Sequence, residues 1–435
     1  MNEQITVRVE KLVYGGEGLA RRDDGRALFV RGVLPGELVR AEITGKRKGV
    51  FLAEAVEVLE PSPDRVVPPC GGEKQCTGAT WPFISYPAQL RLKTDILLET
   101  LLRTGGLHPE RLLTIIPSPT KDHYRLRTQF TVRVRDGVQR FGFFRHGSYD
   151  LVEVEDAFLL HPLINRTLAE TRKLVHLLPP LAEMHVNASP SGEVHVLLFG
   201  AGESLRPPEA FFAALSESLP GIIGITGYAR KKKAFSLGTN TLSLDVEGLT
   251  LHATEGNFFQ VNWEQNRNMV RTVLDLAGLA GGETVLDLYC GIGNFALPLA
   301  RQAGRVIGIE SGYSAIEDAR KNAALNNITN AEFIADDLER GLKPLKEGKL
   351  RAEVIVLDPP RAGATLKTLE RILAFVPRKI VYVSCNPSTL ARDLKFFRLF
   401  GFRLDRLRPV DMFPWTYHIE CVAEMVREPQ QQAGL

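Results

Sequence analysis

From about residue 256 the chain alternates short apolar runs with longer helical stretches, and this alternation constrains the fold more than any other feature of the sequence. The runs are "ETVLDLYCG", "RVIGIE", "AEFIADD", "AEVIVLDPP" and "KIVYVSCN". Continuous Val, Ile and Leu runs of this kind are strands buried on both faces, which predicts a mostly parallel, doubly wound sheet. Ligands bind outside the carboxyl ends of the strands in such sheets, so we expect the functional residues where these runs end.

The first strand ends at Asp287, in "VLDLYCGIGNF", and a glycine-containing turn follows it. Gly291 and Gly293 would let a ligand approach the backbone closely, although a tight turn without a ligand is also consistent. The next strand ends at Glu310, 19 residues after Gly291, where a carboxylate would bind ribose hydroxyls. A dinucleotide would require a third glycine where this turn has Asn294. A positively charged nucleoside without phosphates, such as S-adenosylmethionine, therefore fits better than NAD.

The third and fourth strands also end in carboxylates. In "ADDLE", Asp336 or Asp337 could bind the adenine edge, although capping of the next helix is the commoner role of such residues. In "VLDPPRAGA", two prolines follow Asp358 and would hold it rigidly at the cleft, with Arg361 nearby. Amino-group methyltransferases have an aromatic residue where Arg361 stands, which argues against an exocyclic amine as the target.

The fifth strand ends at Cys385, in "KIVYVSCN". A cysteine is nucleophilic only as the thiolate, and a free thiol has a pKa of about 8.5. The start of a helix near Ser388, together with Arg361, is expected to lower that pKa. The alternative is a small buried hydrophobic residue, which is the usual role of a lone cysteine. That alternative explains neither the adjacent Asn-Pro nor the position beside a cofactor pocket.

The last strand, "HIECVAEM", carries Glu420 on an otherwise apolar face. A buried carboxylate is costly unless it has a partner, so either an ion pair with Arg361 or a role in proton abstraction is expected. Upstream, in "EGNFFQVNWEQN", Gln260 precedes a helix and its amide could bind the amino-acid part of the cofactor.

A thiolate, a carboxylate base and a methylsulfonium donor at one cleft predict methylation at C5 of a pyrimidine. Addition of Cys385 to C6 would make C5 nucleophilic, and Glu420 would remove the C5 proton. Protonated Asp358 or Arg361 could stabilise the charge that develops at O4. A base reached in this way has to be extruded from its nucleic acid.

The rest of the chain has the composition of accessory domains. Closely spaced strands in residues 1–60 predict a small OB-like β-barrel, and a Pro/Gly-rich connector covers residues 61–85. Residues 86–255 predict a mixed α+β central domain, whose first helix, 86–107, we expect to pack on the catalytic domain. The catalytic α/β domain then covers residues 256–430.

The overall charge does not by itself indicate nucleic acid, because the 435 residues contain 54 Lys and Arg against 51 Asp and Glu. Basic clusters do occur at Lys46, Arg47 and Lys48, which form one turn near Arg40, and in "RKKK" at 230–233. Five cysteines argue against a disulfide framework, and no run is apolar enough to cross a bilayer. The N-terminus lacks the apolar core of a signal peptide, so we expect a cytoplasmic protein without membrane contact. The sequence leaves the oligomeric state open, with a monomer as the default.

In combination, "LDLYCGIGNF", "LDPPRAG", "VSCNPSTLARDL" and "MFPWTYHIE" resemble the TRAM-domain-containing RNA uracil-5 methyltransferases of the bacterial rRNA and tRNA type. The resemblance covers nearly the whole chain. It implies a TRAM barrel at the N-terminus and a Rossmann-like class I S-adenosylmethionine-dependent methyltransferase domain at the C-terminus. It also implies Cys385 as the nucleophile and Glu420 as the proton acceptor. The cofactor contacts that it implies are Gln260, Tyr289, Asn294, Glu310, Asp337 and Asp358.

The resemblance implies an RNA partner, with rRNA favoured and the uridine at position 54 of tRNA as the alternative. An RNA cytosine-5 methyltransferase would use the same thiolate addition, but such enzymes usually carry a second cysteine at the Pro-Pro turn, where Arg361 and Ala362 stand. An RNA-binding module without catalysis would not be expected to retain the cysteine, the carboxylate and the cofactor turn together.

One departure from the family concerns an iron–sulfur cluster. Members that hold a cluster have four cysteines, in a Cys-x5-Cys-x2-Cys group and at one position of the central domain. Here Cys70 and Cys76 are present, but Ala79 and Ala157 stand at the other two positions. Two thiolates cannot satisfy a four-ligand site, so we predict no cluster and no other metal. Cys70 and Cys76 are then remnants or a disulfide.

Overall fold

A computed structural model describes residues 3–47, 49–71, 76–145 and 148–429. These residues form a closed barrel, a seven-stranded sheet, a two-stranded sheet and an eight-stranded sheet. Lys48, the last residue of the predicted basic turn, lies outside them. Arg40, which the sequence places near that turn, pairs instead with Glu57 on the neighbouring strand at 2.5 Å.

The N-terminal strands close into the predicted barrel, with the order β1-β2-β3-β5-β4. Successive side chains of a strand face opposite sides, so alternate apolar residues such as Val7, Val9, Leu28 and Val30 fill the interior. The strands are β1 (Gln4–Leu12), β2 (Gly18–Arg21), β3 (Ala27–Arg31), β4 (Leu38–Arg47) and β5 (Val50–Glu60).

The connector is anchored to the barrel through a buried carboxylate. Glu37 is fully buried and accepts hydrogen bonds from Nε of Arg65 at 2.6 Å and from the backbone amide of Ser62 at 3.1 Å. Farther along, Cys70 and Cys76 form a disulfide.

The helix that follows lies against the catalytic domain. It consists of α1 (Tyr86–Thr100) and one π-helical turn (Leu101–Gly105), and a short strand, β6 (Arg111–Leu112), comes after it. A Cβ atom added at Gly105 would lie 2.9 Å from the carbonyl oxygen of Ala391. Glycine therefore allows this helix to approach the helix Pro387–Leu399 closely.

The central domain is a seven-stranded sheet with two helices on one face. Its strands are antiparallel except for one parallel pair, β11 with β12. Its elements are β7 (Arg127–Arg135), β8 (Val138–Phe144), β9 (Leu151–Glu153), α2 (Pro162–Lys173), β10 (Leu181–Ala188), β11 (Val194–Gly200), α3 (Glu209–Ser218), β12 (Ile222–Ala229) and β13 (Lys232–Gly238).

A separate hairpin connects the central domain to the catalytic domain. It comprises β14 (Thr241–Val246) and β15 (Leu249–Thr254). The amide of Thr254 donates to Asp318 and the amide of His252 donates to Asn322, both at 2.7 Å. The hairpin is thereby attached to a helix of the catalytic domain before residue 256.

The C-terminal domain is the predicted doubly wound sheet, with the order β18-β17-β16-β19-β20-β22-β21-β6. Its strands are parallel from β18 to β20, and β22 pairs antiparallel with β20. Among the described residues, no helix is long and apolar enough to cross a membrane. The elements are α4 (Trp263–Ala277), β16 (Thr284–Leu288), α5 (Ala296–Ala300), β17 (Arg305–Glu310), α6 (Tyr313–Leu325), β18 (Ala331–Ala335), α7 (Leu338–Glu347), β19 (Val354–Leu357), α8 (Leu366–Leu373), β20 (Lys379–Ser384), α9 (Pro387–Leu399), β21 (Phe402–Val410) and β22 (Glu420–Arg427).

A buried ion pair joins α1 to the loop between β21 and β22. The ammonium of Lys93, which is 1% exposed, lies 2.6 Å from Asp411 and also donates to the carbonyl of Phe413 at 2.9 Å. Tyr86 donates its hydroxyl to the other carboxylate oxygen of Asp411 at 2.8 Å. These contacts hold the start of the loop that leads to Glu420.

We expect Lys93→Met to lower the free energy of unfolding by about 3–5 kcal/mol, because it leaves the Asp411 carboxylate buried without its cation. The double variant Lys93→Met/Asp411→Leu should recover part of that loss. Thermal or urea unfolding measures both. Lys343→Met, at an exposed ion pair with Glu347, is the control and should leave stability unchanged. A Lys93→Met protein as stable as the wild type would contradict the structural role of the pair.

Candidate active site

The cofactor side of the site lies where the strand order reverses, between β16 and β19. Leu288 pairs with Leu357, so the residues after both strands meet at one edge, and the amide of Asp358 donates to the carbonyl of Leu288 at 3.3 Å. Asp287 is fully buried, and neither oxygen of its carboxylate has a hydrogen-bond partner in the described part of the chain. Burial and the nearby charge of Asp358 raise its pKa well above the usual value, and the backbone amide of Ala296, which faces the carboxylate, offsets them only in part.

The turn after β16 leaves open space at this edge. Gly291 has φ +53°, and a Cβ atom there would meet nothing within 4 Å. Tyr289 also has a positive φ, of 65°, and burial raises the pKa of its phenol to about 12. At the end of β17, Glu310 accepts hydrogen bonds from the hydroxyl of Ser311 and the amide of Gly312, both at 2.9 Å.

These residues fit S-adenosylmethionine. Its sulfonium and ammonium groups are cations, and a cation is what the buried, unpartnered carboxylate of Asp287 lacks. Gly291 leaves room for a ligand close to the backbone, and Glu310 stands where ribose hydroxyls would bind.

Other predicted cofactor residues already have partners within the protein. The amide of Asn294 exchanges two hydrogen bonds with the amide of Asn266, at 2.8 and 3.0 Å. Asp337 caps α7 by accepting from the amide of Arg340 at 2.9 Å, which is the commoner role of such a residue. Gln260 is half-buried in the segment before α4. Cofactor contacts from these residues stay predictions.

The candidate nucleophile and base lie side by side on neighbouring strands. Ser384 at the end of β20 pairs with Cys421 of β22, so the next residues along, Cys385 and Glu420, face the same edge of the sheet. Cys385 is half-buried, whereas Glu420 is 6% exposed. Strand β20 lies between β22 and β19, and Asp358 is the residue that follows β19. The structure thus brings Cys385, Glu420 and Asp358 together at the cofactor edge.

The helix after Cys385 brings Arg361 to the same place. Asn386 caps α9 by accepting from the amide of Ser388 at 3.0 Å, and its side-chain amide donates to the carbonyl of Arg361 at 2.9 Å. The hydroxyl of Thr389 donates to the same carbonyl at 3.3 Å. In the described residues Glu420 forms no ion pair with Arg361 within 4.0 Å, so the guanidinium acts on it only at longer range.

The pKa of Cys385 differs from expectation. Burial and the charges of Glu420 and Asp358 raise the thiol pKa to about 12, and Arg361 only partly offsets them. The predicted lowering of this pKa is therefore wrong for the free protein. The helix start and one exposed cation are outweighed by burial beside two carboxylates.

The two carboxyl groups also favour protons. Burial, with the charge of Asp358, raises the pKa of Glu420 well above its usual value. Burial alone raises the pKa of Asp358 to about 7. Each carboxylate therefore becomes a stronger base than one in water, which suits a group that has to accept a proton from carbon.

Two side chains that the sequence patterns did not single out lie in the same cluster. The Nδ1 atom of His418 accepts from Nη2 of Arg361 at 3.3 Å, and burial lowers the pKa of this imidazole to about 3. His418 is therefore neutral, with its proton on Nε2. The hydroxyl of Tyr14, from the barrel, donates to the carbonyl of Cys385 at 3.3 Å. The motif "MFPWTYHIE" already contained the signal for His418, whereas no local pattern marks Tyr14.

The positions of the family's cluster ligands do not fit an iron–sulfur cluster here. Cys70 and Cys76 are joined in a disulfide, and Ala79 packs on an apolar group that includes Leu159. The buried Ala157 donates its amide to Asn165 at 3.1 Å. The described residues contain no group of three or more His, Cys, Asp and Glu placed to hold a metal.

A glycine turn and buried carboxylates at the switch point of a doubly wound sheet are typical of S-adenosylmethionine-dependent methyltransferases, and comparison with known proteins identifies the family. Residues 85–427 match the family described as tRNA (Uracil-5-)-methyltransferase, and residues 2–56 match the TRAM domain. The chain belongs to this family. The family and the enzyme class predicted from the motifs are thereby confirmed.

Relatives share nearly the full length of the chain. The 23S rRNA (uracil(1939)-C(5))-methyltransferase RlmD of Alkalilimnicola ehrlichii is 34% identical over 98% of this chain and 98% of its own. A protein of Aquifex aeolicus named only as an RNA methyltransferase is 36% identical over 97% of this chain and 98% of its own.

The fold is similar to that of a solved structure. The Pyrococcus abyssi tRNA (uracil-54, C5)-methyltransferase, in complex with S-adenosyl-L-homocysteine, aligns with a TM-score of 0.75 over 97% of this chain and all of that one. The two share 23% sequence identity. This similarity supports the predicted arrangement of barrel and methyltransferase domain.

We expect alkylation of Cys385 by iodoacetamide in the free protein to accelerate about tenfold for each pH unit between 7 and 10, because only the thiolate reacts and its pKa is about 12. Asp358→Asn should accelerate the reaction at pH 8–9, since it removes a negative charge that opposes ionisation. Mass spectrometry of the Cys385 peptide measures the rate, with Cys385→Ala as background. A plateau below pH 8 would show that the thiol ionises easily and would contradict the raised pKa.

Proposed function

We propose that this protein methylates C5 of a specific uridine in 23S rRNA, with S-adenosylmethionine as the methyl donor. The observation that carries the proposal is the meeting of Cys385, Glu420 and Asp358 at the edge that also holds the cofactor pocket. Methylation at C5 requires a nucleophile and a base that act on the same pyrimidine ring. Cys385 and Glu420 are the nucleophile and the base that the sheet brings together.

In the first step the thiol of Cys385 passes its proton to the carboxylate of Asp358, the Sγ atom bonds to C6, and the electrons of the C5–C6 double bond move towards C5 and O4. Arg361, which lies at the same edge, can stabilise this charge, and Asp358, when protonated, can donate a hydrogen bond to O4. When bound, S-adenosylmethionine would supply an electrophilic methyl group for C5 and would leave as S-adenosylhomocysteine. Asp287, Gly291 and Glu310 are the residues that would hold it.

In the last step a carboxylate removes the proton from C5. The electrons of that C–H bond restore the C5–C6 double bond, and the bond from C6 to Sγ breaks to release the cysteine as thiolate. Glu420 is suited to the task because its buried carboxylate binds a proton tightly. The Cys385 thiolate then takes its proton back from Asp358, as its high pKa favours, and the proton on Glu420 exchanges with water.

Single-stranded RNA is the substrate class that the central sheet fits best. On the face opposite its helices, the rings of His185 and Phe199 lie 4.3 Å apart, and Phe199 stacks on Tyr228 at 5.3 Å. Arg127 and Lys233 lie beside this row of rings, and Lys233 also pairs with Glu255 at 2.6 Å. The guanidinium of Arg127 donates to the carbonyl of Phe259, the residue before Gln260. Aromatic rings stack bases and the cations bind phosphates, so RNA could run from this row into the catalytic cleft.

The barrel offers a second group of cations. Arg22, Arg26 and Lys46 all lie within 5.1 Å of the centre of the Phe51 ring. The ring brings the three cations together, but Arg22 pairs with Glu3 at 2.8 Å and Arg26 with Asp24 at 2.5 Å. A phosphate backbone would therefore compete with these carboxylates for the two guanidinium groups. We favour rRNA over tRNA because a full-length relative acts on 23S rRNA. That the protein is monomeric and cytoplasmic remains a prediction.

We expect the enzyme to release tritium from 23S rRNA fragments labelled as [5-³H]uridine, because the C5 proton leaves when the methyl group is in place. Fragments labelled at cytidine C5 should release none, and tRNA should react more slowly. Cys385→Ala should abolish release, and Glu420→Gln should slow it at least about 100-fold. Methylation without tritium release, or an active Cys385→Ala variant, would contradict the mechanism. Tritium release from tRNA but not from rRNA would show that tRNA is the substrate.

We expect Tyr228→Leu to weaken RNA binding about tenfold, because base stacking on an aromatic ring contributes roughly 1–3 kcal/mol. Fluorescence anisotropy with the labelled rRNA fragment measures the change in Kd. Phe400→Leu, at a half-exposed ring of the catalytic domain, is the control and should bind as the wild type does. If the two variants bind the RNA equally well, the central sheet is not part of the RNA-binding site.

A further inference from the structure

The loop between β1 and β2 of the barrel reaches the catalytic edge. It closes on itself through a hydrogen bond from the amide of Val13 to the carbonyl of Glu17 at 2.9 Å. At its tip the half-buried Tyr14 donates its hydroxyl to the main-chain carbonyl of Cys385 at 3.3 Å. A residue of the N-terminal barrel is thus bonded to the nucleophile's own peptide unit.

The docking of this loop is shaped by a glycine. Gly16 has φ +90°, and a Cβ atom there would lie 3.0 Å from the ring of Tyr417. Its carbonyl accepts from Nε1 of the buried Trp81 at 3.4 Å. Only glycine combines this backbone conformation with so close an approach, so the loop is fitted to the catalytic domain.

Tyr14 also meets a chain of aromatic rings that ends at Arg361. Its ring lies edge-on to Tyr417 with centroids 6.4 Å apart, and Tyr417 lies 4.4 Å from His418, the neutral imidazole that accepts from Arg361. Burial, with the charge of Cys385, raises the pKa of the Tyr14 phenol to about 12. The hydroxyl therefore keeps its proton, and remains a donor, throughout the pH range in which RNA is stable.

We propose that Tyr14 is a positioning residue of the methyl-transfer reaction, which orients the Cys385 thiol through the carbonyl of its peptide unit. This inference rests on the proposed function. The attacking sulfur has to lie about 3–3.5 Å from C6, and small misplacements slow such reactions strongly. A barrel that carries this donor makes the nucleophile dependent on docking of the domain, so the barrel contributes to catalysis as well as to RNA affinity.

Tyr14→Phe tests the inference because it removes the hydroxyl and keeps the ring. We expect kcat for tritium release from uridine-labelled rRNA to fall about fivefold, as for the loss of one hydrogen bond, with KM for the RNA and for S-adenosylmethionine unchanged. Single-turnover formation of the covalent complex with 5-fluorouridine RNA should slow by the same factor. The thermal unfolding midpoint should not move. Tyr149→Phe, at a ring that is 90% exposed, is the matched control and should retain the wild-type kcat.

Three outcomes would overturn the inference and leave the proposed function intact. They are a Tyr14→Phe variant with the wild-type kcat, a variant that changes only KM for RNA, and a variant whose lower kcat is matched by a lower unfolding midpoint. A wild-type enzyme that releases no tritium from uridine would instead overturn the proposed function and this inference together. Because this result is obtained with the wild-type enzyme alone, it is distinguished from a failure of the Tyr14 inference.

Discussion

The antiparallel pairing of β20 with β22 is the interaction on which the candidate site depends. The register that pairs Ser384 with Cys421 sets Cys385 and Glu420 next to one another at the edge of the sheet. Because side chains alternate along a strand, a slip of one residue would turn Glu420 to the other face and separate base from nucleophile. The buried pair of Lys93 and Asp411 holds the loop that enters β22, and so supports that register from another part of the chain.

Burial governs the chemistry of the cluster. Asp358 lies near Asp287 and also near Cys385 and Glu420, and Arg361 is the cation that acts on the last two. Each of these four groups has a raised pKa. In the free protein these groups therefore lose their protons at higher pH than the same groups in water. A cationic cofactor beside Asp287 would favour ionisation of the neighbouring groups, since a nearby positive charge stabilises an anion. In our proposal, cofactor binding and activation of the thiol are coupled in this way.

The fold, and the meeting of Asp358 and Cys385 at one edge of the sheet, could be predicted from the sequence because strand ends are local features. Apolar runs mark buried strands, and the residues just after them, Asp358 and Cys385, lie at one edge for topological reasons. Contacts between distant segments could not be predicted. Tyr14 and Cys385 are 371 residues apart, and no periodicity relates them. The pKa of Cys385 was missed for the same reason, since it depends on how deeply Glu420 and Asp358 are buried around it.

The covalent bond between Cys385 and a uridine is the central claim, and trapping it is the most direct measurement. The enzyme is incubated with S-adenosylmethionine and an rRNA fragment that carries 5-fluorouridine. This base has fluorine in place of the proton that Glu420 would remove from C5, so the thioether between Cys385 and C6 cannot be released. Mass spectrometry of the digested complex should find the methylated fluorouridine attached to the peptide that contains Cys385. A complex attached to another residue, or the absence of any complex while uridine in the same fragment is methylated, would contradict the account.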